Sequence, residues 1–120
     1  VGGAMVFPQR QPVLIESYPD VAGYSFGPIT TVGADYLLAA PGVFVCMYRG
    51  TDMRRYLFDV DQAENLRWAV AHHPRMACWR RATSAGQMME VGTYIAALDM
   101  RGREEVVRRI RAKYPQMLCG

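Results

Sequence analysis

The pattern of apolar and polar residues predicts two neighbouring strands near the middle of the chain. Residues 42–49, GVFVCMYR, are apolar at both alternating sets of positions up to the final arginine, which is typical of a central strand covered on both faces. A turn at 50–52 follows, and residues 53–60 return with a mixed pattern. The apolar side chains of this return fall on one face and the charged ones on the other: Tyr56, Phe58 and Val60 against Arg55 and Asp59. The two runs together predict a β-hairpin.

The first third of the chain predicts extended and irregular structure. Residues 6–17 are apolar but contain Pro8 and Pro12, and proline is confined to the edges and ends of sheets because it cannot donate a ladder hydrogen bond. This stretch is therefore expected to be an edge strand or an extended arm. Residues 18–31 are rich in proline and glycine and predict loop, and residues 34–40 predict a short helix.

Two helices and a third strand are predicted in the second half. Asp61 and Glu64 form a capping-box pattern, which predicts a helix that begins at Asp61 and ends before Pro74. A further short helix at 77–82 is expected to pack Trp79 inward. Residues 86–98 alternate as a strand does, and residues 102–113 place acids first and bases last, as the helix dipole favours. The expected fold is α/β (α+β), with a small three-stranded, mainly antiparallel sheet flanked by helices and an N-terminal extended arm.

The length of the chain favours one compact domain, which we divide into an N-terminal arm and loop at 1–34 and a core domain at 35–120. Hydrophobic residues make up 51% and charged residues 21%, which is a globular balance. No apolar run approaches the roughly 20 residues that a membrane span needs. We therefore expect no membrane association and, because no signal-peptide pattern is present, a cytoplasmic location by default.

The net charge of +3 conceals an asymmetry along the chain. Residues 1–48 carry one base and three acids, whereas residues 49–120 carry thirteen bases and eight acids. All but one of the bases are arginine, whose planar guanidinium group suits bidentate contacts to phosphate or carboxylate. The basic part of the chain is thus consistent with an anionic partner. Ordinary solvated surface charge explains the same excess, and both interpretations stay open.

The three cysteines predict neither a disulfide framework nor a zinc site. Cys46, Cys78 and Cys119 are odd in number and widely spaced, and no two of them form a CxxC pair. We therefore expect reduced, packed thiols.

The predicted order of strand, strand, helix, short helix, strand and helix resembles a GIY-YIG nuclease domain over about residues 35–120. The resemblance rests on five motifs: Gly42-Val43-Phe44, Asp59-Val60-Asp61, Asn65-Leu66-Arg67, Trp79 and Tyr114-Pro115. In that family, tyrosines orient or activate a water, an arginine stabilises the phosphate charge, and a glutamate holds one divalent metal ion. The resemblance therefore implies a fold and an expected set of reactive positions.

The residues at those reactive positions do not match the family. Phe44 lacks the tyrosine hydroxyl of the first motif, and Asp59 and Asp61 replace the tyrosine and glycine of the second. The position of the catalytic arginine falls at Ala69, and that of the metal-binding glutamate falls near Val106 or Val107. We therefore expect no catalytic residues and no metal site.

The first functional hypothesis is a non-catalytic GIY-YIG-like binding domain whose partner is nucleic acid or a protein. Five arginines around the hairpin turn and the short helix near Trp79 are the candidate phosphate contacts: Arg49, Arg54, Arg55, Arg80 and Arg81. No cofactor is expected.

Two alternatives belong to other classes. One is a divalent-metal-dependent endonuclease, using Mg or Mn, in which Arg67, His73 and Glu105 act as displaced catalytic groups. The other is a protein interaction or self-association module, such as a homodimer, that uses the methionines and the arm at 6–17. Asp59 and Asp61 also suit a magnesium ion by residue type, but Asp61 is expected to cap a helix.

Overall fold

A computed structural model describes residues 10–31 and 33–120, so that residues 6–9 of the predicted arm lie outside the described part. The strands are β1 (Val13–Ile15), β2 (Asp20–Val21), β3 (Tyr24–Ser25), β4 (Gly42–Arg49), β5 (Arg55–Ala63) and β6 (Met89–Tyr94). The α-helices are α1 (Leu66–Ala71), α2 (Met76–Ala82) and α3 (Met100–Lys113), and a single 3-10 turn spans Ala34–Tyr36. These elements confirm the α+β class, although the predicted helix at 34–40 is only this short turn.

The main sheet has four antiparallel strands in the order β1-β5-β4-β6, so the prediction of three strands is wrong. The additional strand is β1, which lies within the predicted arm and pairs with β5 through Val13↔Leu57 and Ile15↔Arg55. Its three residues follow Pro12, and so short a run beside prolines does not distinguish a paired edge strand from an unpaired arm. β4 occupies a central position, as its apolar character on both faces predicts.

Each face of the sheet has its own hydrophobic core. We call the side covered by α3 the first face, and the side covered by α1 and α2 the second face. Buried first-face side chains include Val43, Val45, Met47, Leu57, Val60, Val106 and Ile110. Buried second-face side chains include Phe44, Cys46, Phe58, Leu66, Val70 and Trp79. The alternation of β4 thus supplies both cores.

A β-bulge in β5 changes which side chains share a face. Cys46 pairs with Asp59 whereas Met47 pairs with Leu57, so that Phe58 is the extra residue. Phe58 and Asp59 therefore both lie on the second face, while Leu57 and Val60 lie on the first. The prediction that Val60 shares a face with Phe58 and opposes Asp59 is wrong, because strict alternation fails at a bulge.

The first α-helix begins later than its sequence pattern predicts. β5 continues through Asp61 to Ala63, and α1 starts at Leu66. Its N-cap is Asn65, whose side-chain oxygen accepts a hydrogen bond from the Trp68 amide at 3.1 Å. Asp61 and Glu64 therefore form no capping box, since the stronger constraint is the pairing of β5 with β4.

Cys78 and Cys119 form a disulfide bond that links α2 to the segment after α3. The expectation of reduced thiols is therefore wrong for these two residues, while Cys46 is a free, buried thiol. The two bonded cysteines are 41 residues apart and meet only through tertiary packing, which no spacing rule detects. Within the described residues, every helix is too short or too polar to cross a bilayer.

Candidate functional site

A fully buried carboxylate, Asp59, lies at the centre of a cluster of charged side chains on the second face. Arg75 contacts it in a bidentate manner, from Nε to Oδ2 at 2.9 Å and from Nη2 to Oδ1 at 3.1 Å. Arg111 Nη2 donates to Oδ1 at 2.9 Å, and Trp79 Nε1 donates to Oδ2 at 2.6 Å. The Val60 amide donates to Oδ1 at 2.8 Å. Two guanidinium groups thus compensate the charge that burial would otherwise disfavour.

The outer edge of β5 explains how arginines from two different helices reach the same carboxylate. β1 pairs with β5 only as far as Leu57, and among residues 10–31 and 33–120 no strand neighbours β5 beyond that residue on this side. The Phe58 carbonyl accepts from the Cys119 amide at 2.8 Å, and the Val60 carbonyl accepts from Arg111 Nη2 at 2.6 Å. The chain after α3 therefore covers this edge, and the disulfide ties it to α2.

His73 is buried and is hydrogen-bonded at both ring nitrogens. Its Nε2 lies 2.8 Å from Asp61 Oδ2, and the Arg75 amide donates to its Nδ1 at 3.0 Å. Since Nδ1 accepts, we assign the ring proton to Nε2, which donates it to Asp61. The ring also stacks on Trp79 with a centroid distance of 4.5 Å. Neither nitrogen is therefore free to take a proton from a substrate.

A cleft of about 340 Å³ opens beside Asp61, between the end of β5 and α1. The motif positions of the GIY-YIG resemblance meet here, because Phe44 is the Cα partner of Asp61 and Ala69 lines the cleft. Phe44 is fully buried, and its ring packs against His73, which lines the cleft. These three positions supply one carboxylate, which already accepts from His73 and Arg75, and no hydroxyl or guanidinium group.

The three displaced catalytic candidates do not converge on one point. Arg67 Nε donates to the Leu37 carbonyl at 2.9 Å, which anchors the start of α1 to the segment after the 3-10 turn. His73 is enclosed as described above. Glu105 lies on α3, whose apolar side chains pack on the first face, and it pairs with two arginines of its own helix. The sheet thus separates Glu105 from the other two.

The predicted nucleic-acid contacts divide into paired and unpaired arginines. Arg55 Nε lies 2.8 Å from Glu90 Oε1, and its guanidinium carbon lies 5.3 Å from the ring centroid of Tyr18. Arg55 therefore makes contacts inside the protein on the first face. Arg54 pairs with Glu16 at 3.5 Å, but both side chains are more than half exposed, so this pair contributes little.

Arg49, Arg80 and Arg81 are exposed and have no carboxylate within 4.0 Å among the described residues. Arg49 ends β4 at the hairpin, and Arg80 and Arg81 lie in the last turn of α2. Ala82 of α2 and Tyr48 of β4 pack against the same second-face core, whereas the alternation of β4 places Arg49 on the first face, beside its register partner Arg55. We call Arg49, Arg54, Arg80 and Arg81 the arginine surface.

Neither Arg75 nor Arg111 is predicted from the sequence as a partner of Asp59. The available signal was Asp59 itself, since an acid within a buried apolar strand requires a compensating charge. With thirteen arginines in the chain, the sequence could not indicate which ones supply it. Trp79 was correctly expected to point inward, but its hydrogen bond to Asp59 was not foreseen.

The titration behaviour of two groups fits this arrangement. Burial alone would lower the pKa of Arg75, but the hydrogen bond and the charge of Asp59 raise it above its usual value, so this guanidinium stays charged. Burial raises the pKa of the Cys46 thiol well above its usual range, with the Asp59 charge acting in the same direction. Cys46 is therefore an unreactive core residue.

Comparisons with known proteins found no match among protein-family models, curated proteins or solved structures. Among the described residues, no group of three or more histidine, cysteine or acidic side chains is arranged to hold a metal ion. The charged cluster around Asp59 is an internal ion-pair network.

Proposed function

We propose that this chain is a non-catalytic, GIY-YIG-like domain that binds nucleic acid through the arginine surface. The observation that carries the proposal is that some arginines are paired with buried acids whereas others are exposed and unpaired among the described residues. Arg75 and Arg111 are bound to Asp59, whereas Arg49, Arg80 and Arg81 lie exposed without a carboxylate partner among the described residues. Exposed guanidinium groups with all donors available suit the phosphate oxygens of a nucleic acid backbone.

The absence of catalysis is supported by the state of the polar groups beside the cleft. Asp61 accepts from His73 and Arg75, and both nitrogens of His73 are engaged. An acid or base in catalysis must exchange protons with a substrate group within hydrogen-bond reach. The Mg or Mn ion of the endonuclease alternative is not required by this proposal.

The test is a binding assay with labelled single- and double-stranded DNA and RNA at low salt. The variant Arg49→Gln/Arg80→Gln/Arg81→Gln should lose most of the affinity, because three phosphate contacts disappear while no internal ion pair is broken. Arg101→Gln/Arg109→Gln/Lys113→Gln removes the same charge from α3 and is the matched control. Equal loss in both variants would indicate attraction by net charge alone. Strand cleavage in magnesium or manganese that a chelator abolishes would contradict the non-catalytic assignment.

A protein partner, including a second copy of the chain, is a second candidate that one observation favours. Leu14, Tyr56, Tyr48 and Met89 lie side by side across all four strands on the second face, because they are register partners. All four side chains retain solvent exposure, with Leu14 at 37%. We call these four residues the strip. Aromatic and methionine side chains are enriched in protein interfaces.

Light scattering after size-exclusion chromatography tests this candidate. The variant Leu14→Lys/Met89→Lys should convert a dimer to a monomer, whereas Tyr36→Lys, at an exposed aromatic residue outside the strip, should not. Deleting the first 17 residues is not an informative experiment, since it would remove β1 from the sheet. A monomer at all concentrations would exclude self-association through this strip.

The cytoplasmic location predicted from the sequence stays a prediction. The Cys78–Cys119 bond argues against a cytoplasmic location, because disulfides persist mainly in oxidising compartments.

A further inference from the structure

A cavity of about 400 Å³ beside the C-terminal end of α3 has three arginines in its walls: Arg10, Arg108 and Arg111. The remaining lining is largely apolar or aromatic and includes Tyr114 and Met117. None of the described residues that line the cavity is an aspartate or glutamate. The cavity shares no residue with the arginine surface.

Each of the three guanidinium groups donates hydrogen bonds to the protein, and Arg111 is held most firmly. Arg111 is fixed by the buried Asp59, by the Val60 carbonyl and by the Cys119 carbonyl at 3.1 Å. Such prior ordering lowers the entropy cost of binding a ligand.

Arg108 and Arg10 are exposed and donate hydrogen bonds to their own neighbours. Arg108 donates from Nε and Nη2 to both carboxylate oxygens of Glu105. Arg10 Nη1 lies 3.3 Å from the carbonyl oxygens of both Met117 and Gly120.

These contacts leave donors unused on all three arginines. A guanidinium group carries five N–H donors, one on Nε and two on each Nη. Within the described residues, Arg111 keeps Nε–H and one Nη1–H, Arg108 keeps both Nη1–H groups, and Arg10 keeps Nε–H and both Nη2–H groups. The cavity therefore presents several charged donors without matching acceptors.

The charges that face these arginines do not cancel them. Glu105 is shared between Arg108 and Arg109, and the fully buried Asp59 is shared between Arg111 and Arg75, whereas no aspartate or glutamate among the described residues pairs with Arg10. The C-terminal end of α3 adds only a partial negative charge. A positive charge remains at the cavity.

We propose that this cavity binds a phosphate group. A phosphate presents several acceptor oxygens and up to two negative charges, and arginine is the residue that best matches that geometry. The bound phosphate group would belong either to a free phosphorylated small molecule or to the end of a nucleic acid strand, because both carry the same terminal phosphate.

The experiment uses NMR titration of the full chain, observing backbone amides and arginine Nε–H signals. The probes are inorganic phosphate, a nucleoside 5′-monophosphate, and one oligonucleotide with and without a 5′-phosphate, all at constant ionic strength. Arg108→Gln and Arg10→Gln should each weaken binding about tenfold, as expected for a lost charge-assisted hydrogen bond. Arg101→Gln, on the same helix but outside the cavity, is the matched control with the same charge change.

Saturable shifts at Arg108, Arg111 and Tyr114 with any phosphate probe, reduced in Arg108→Gln and Arg10→Gln but not in Arg101→Gln, support the site. Shifts caused only by inorganic phosphate or the nucleoside 5′-monophosphate indicate that the ligand is a free small molecule. Shifts caused only by the 5′-phosphorylated oligonucleotide indicate that the ligand is the end of a nucleic acid. No saturable shift with any probe, or equal weakening in all three variants, would overturn the proposal. Nucleic acid binding through the arginine surface is measured separately and can fail or hold independently.

Discussion

Asp59 is the residue around which the polar interior is organised. Sequence pattern places it on a strand and marks it as an acid among apolar neighbours, but the pattern assigns it to the wrong face. The bulge at Phe58 moves it to the second face, where Trp79 and Arg75 contact it, while Arg111 reaches it around the edge of β5 that the segment after α3 covers. Its partners come from 16, 20 and 52 residues away, which is why no local rule identifies them.

Replacing Asp59 should therefore destabilise the protein strongly. Asp59→Asn preserves the shape but leaves two guanidinium groups without their counter-charge, and breaking a buried pair in this way typically costs 3–5 kcal/mol. We expect a loss of about 3 kcal/mol, at the low end because Arg75 and Arg111 still reach solvent. Urea denaturation monitored by circular dichroism measures it. Glu104→Gln, at an exposed acid of α3, is the control, and a loss below about 1 kcal/mol for Asp59→Asn would contradict the network.

Tyr18 provides a pH-dependent test at the same scale. Its hydroxyl donates a hydrogen bond to the Gly27 carbonyl. The hydroxyl also lies against Gly92, where any larger side chain would collide with it. Burial raises the pKa of Tyr18 to about 12, with Arg55 opposing and Glu90 reinforcing the shift. In the unfolded chain this proton is lost near pH 10, so between about pH 10 and 12 the unfolded state binds fewer protons than the folded state.

Stability should consequently fall as pH rises through that window, and should be unaffected by Tyr18 below it. In Tyr18→Phe the fall should be shallower, since the titrating group is gone. The measurement is the free energy of unfolding from pH 8 to 12 in both proteins, after correction for the hydrogen bond lost at all pH values. Parallel curves for the two proteins would contradict the raised pKa of Tyr18.

At the scale of elements, the hairpin, the strand at 89–94 and the final helix were predictable because their apolar periodicity is clear. The start of α1 was not, because the capping-box pattern of Asp61 and Glu64 competes with strand pairing, and pairing prevails. The cap is instead Asn65. For the fourth strand, β1, the sequence predicted an edge strand or an extended arm but could not decide between them. An edge strand of three residues carries too little pattern to show whether it is paired.

The disulfide between α2 and the segment after α3 should be a major stabilising element. It closes a loop of 41 residues, for which the loss of chain entropy in the unfolded state predicts about 4 kcal/mol. Urea denaturation with and without a reductant should differ by about that amount, and Cys78→Ala/Cys119→Ala should match the reduced protein. Thiol titration of the unfolded, unreduced chain should find one thiol, Cys46. Three thiols in the protein as isolated would contradict the bond.

At the scale of the whole molecule, the sequence correctly indicated an α+β fold and an arginine-rich second half. It could not indicate how the arginines divide. Arg55 is held inside by Glu90, and Arg49, Arg80 and Arg81 are left outside, and this division depends on which acids the fold brings near each guanidinium group. The functional proposal depends on that division and not on the net charge of the chain.

The dependence of nucleic acid binding on salt tests the central claim most directly. Each phosphate contact that a protein makes changes the slope of log affinity against log salt by about 0.7 for single strands and 0.9 for duplex DNA. We predict measurable binding by the unmodified protein and a slope that is shallower by about 2 to 3 in Arg49→Gln/Arg80→Gln/Arg81→Gln. The α3 control variant should keep the original slope. No binding at low salt, or identical slopes in all three proteins, would contradict the proposal that the arginine surface binds nucleic acid.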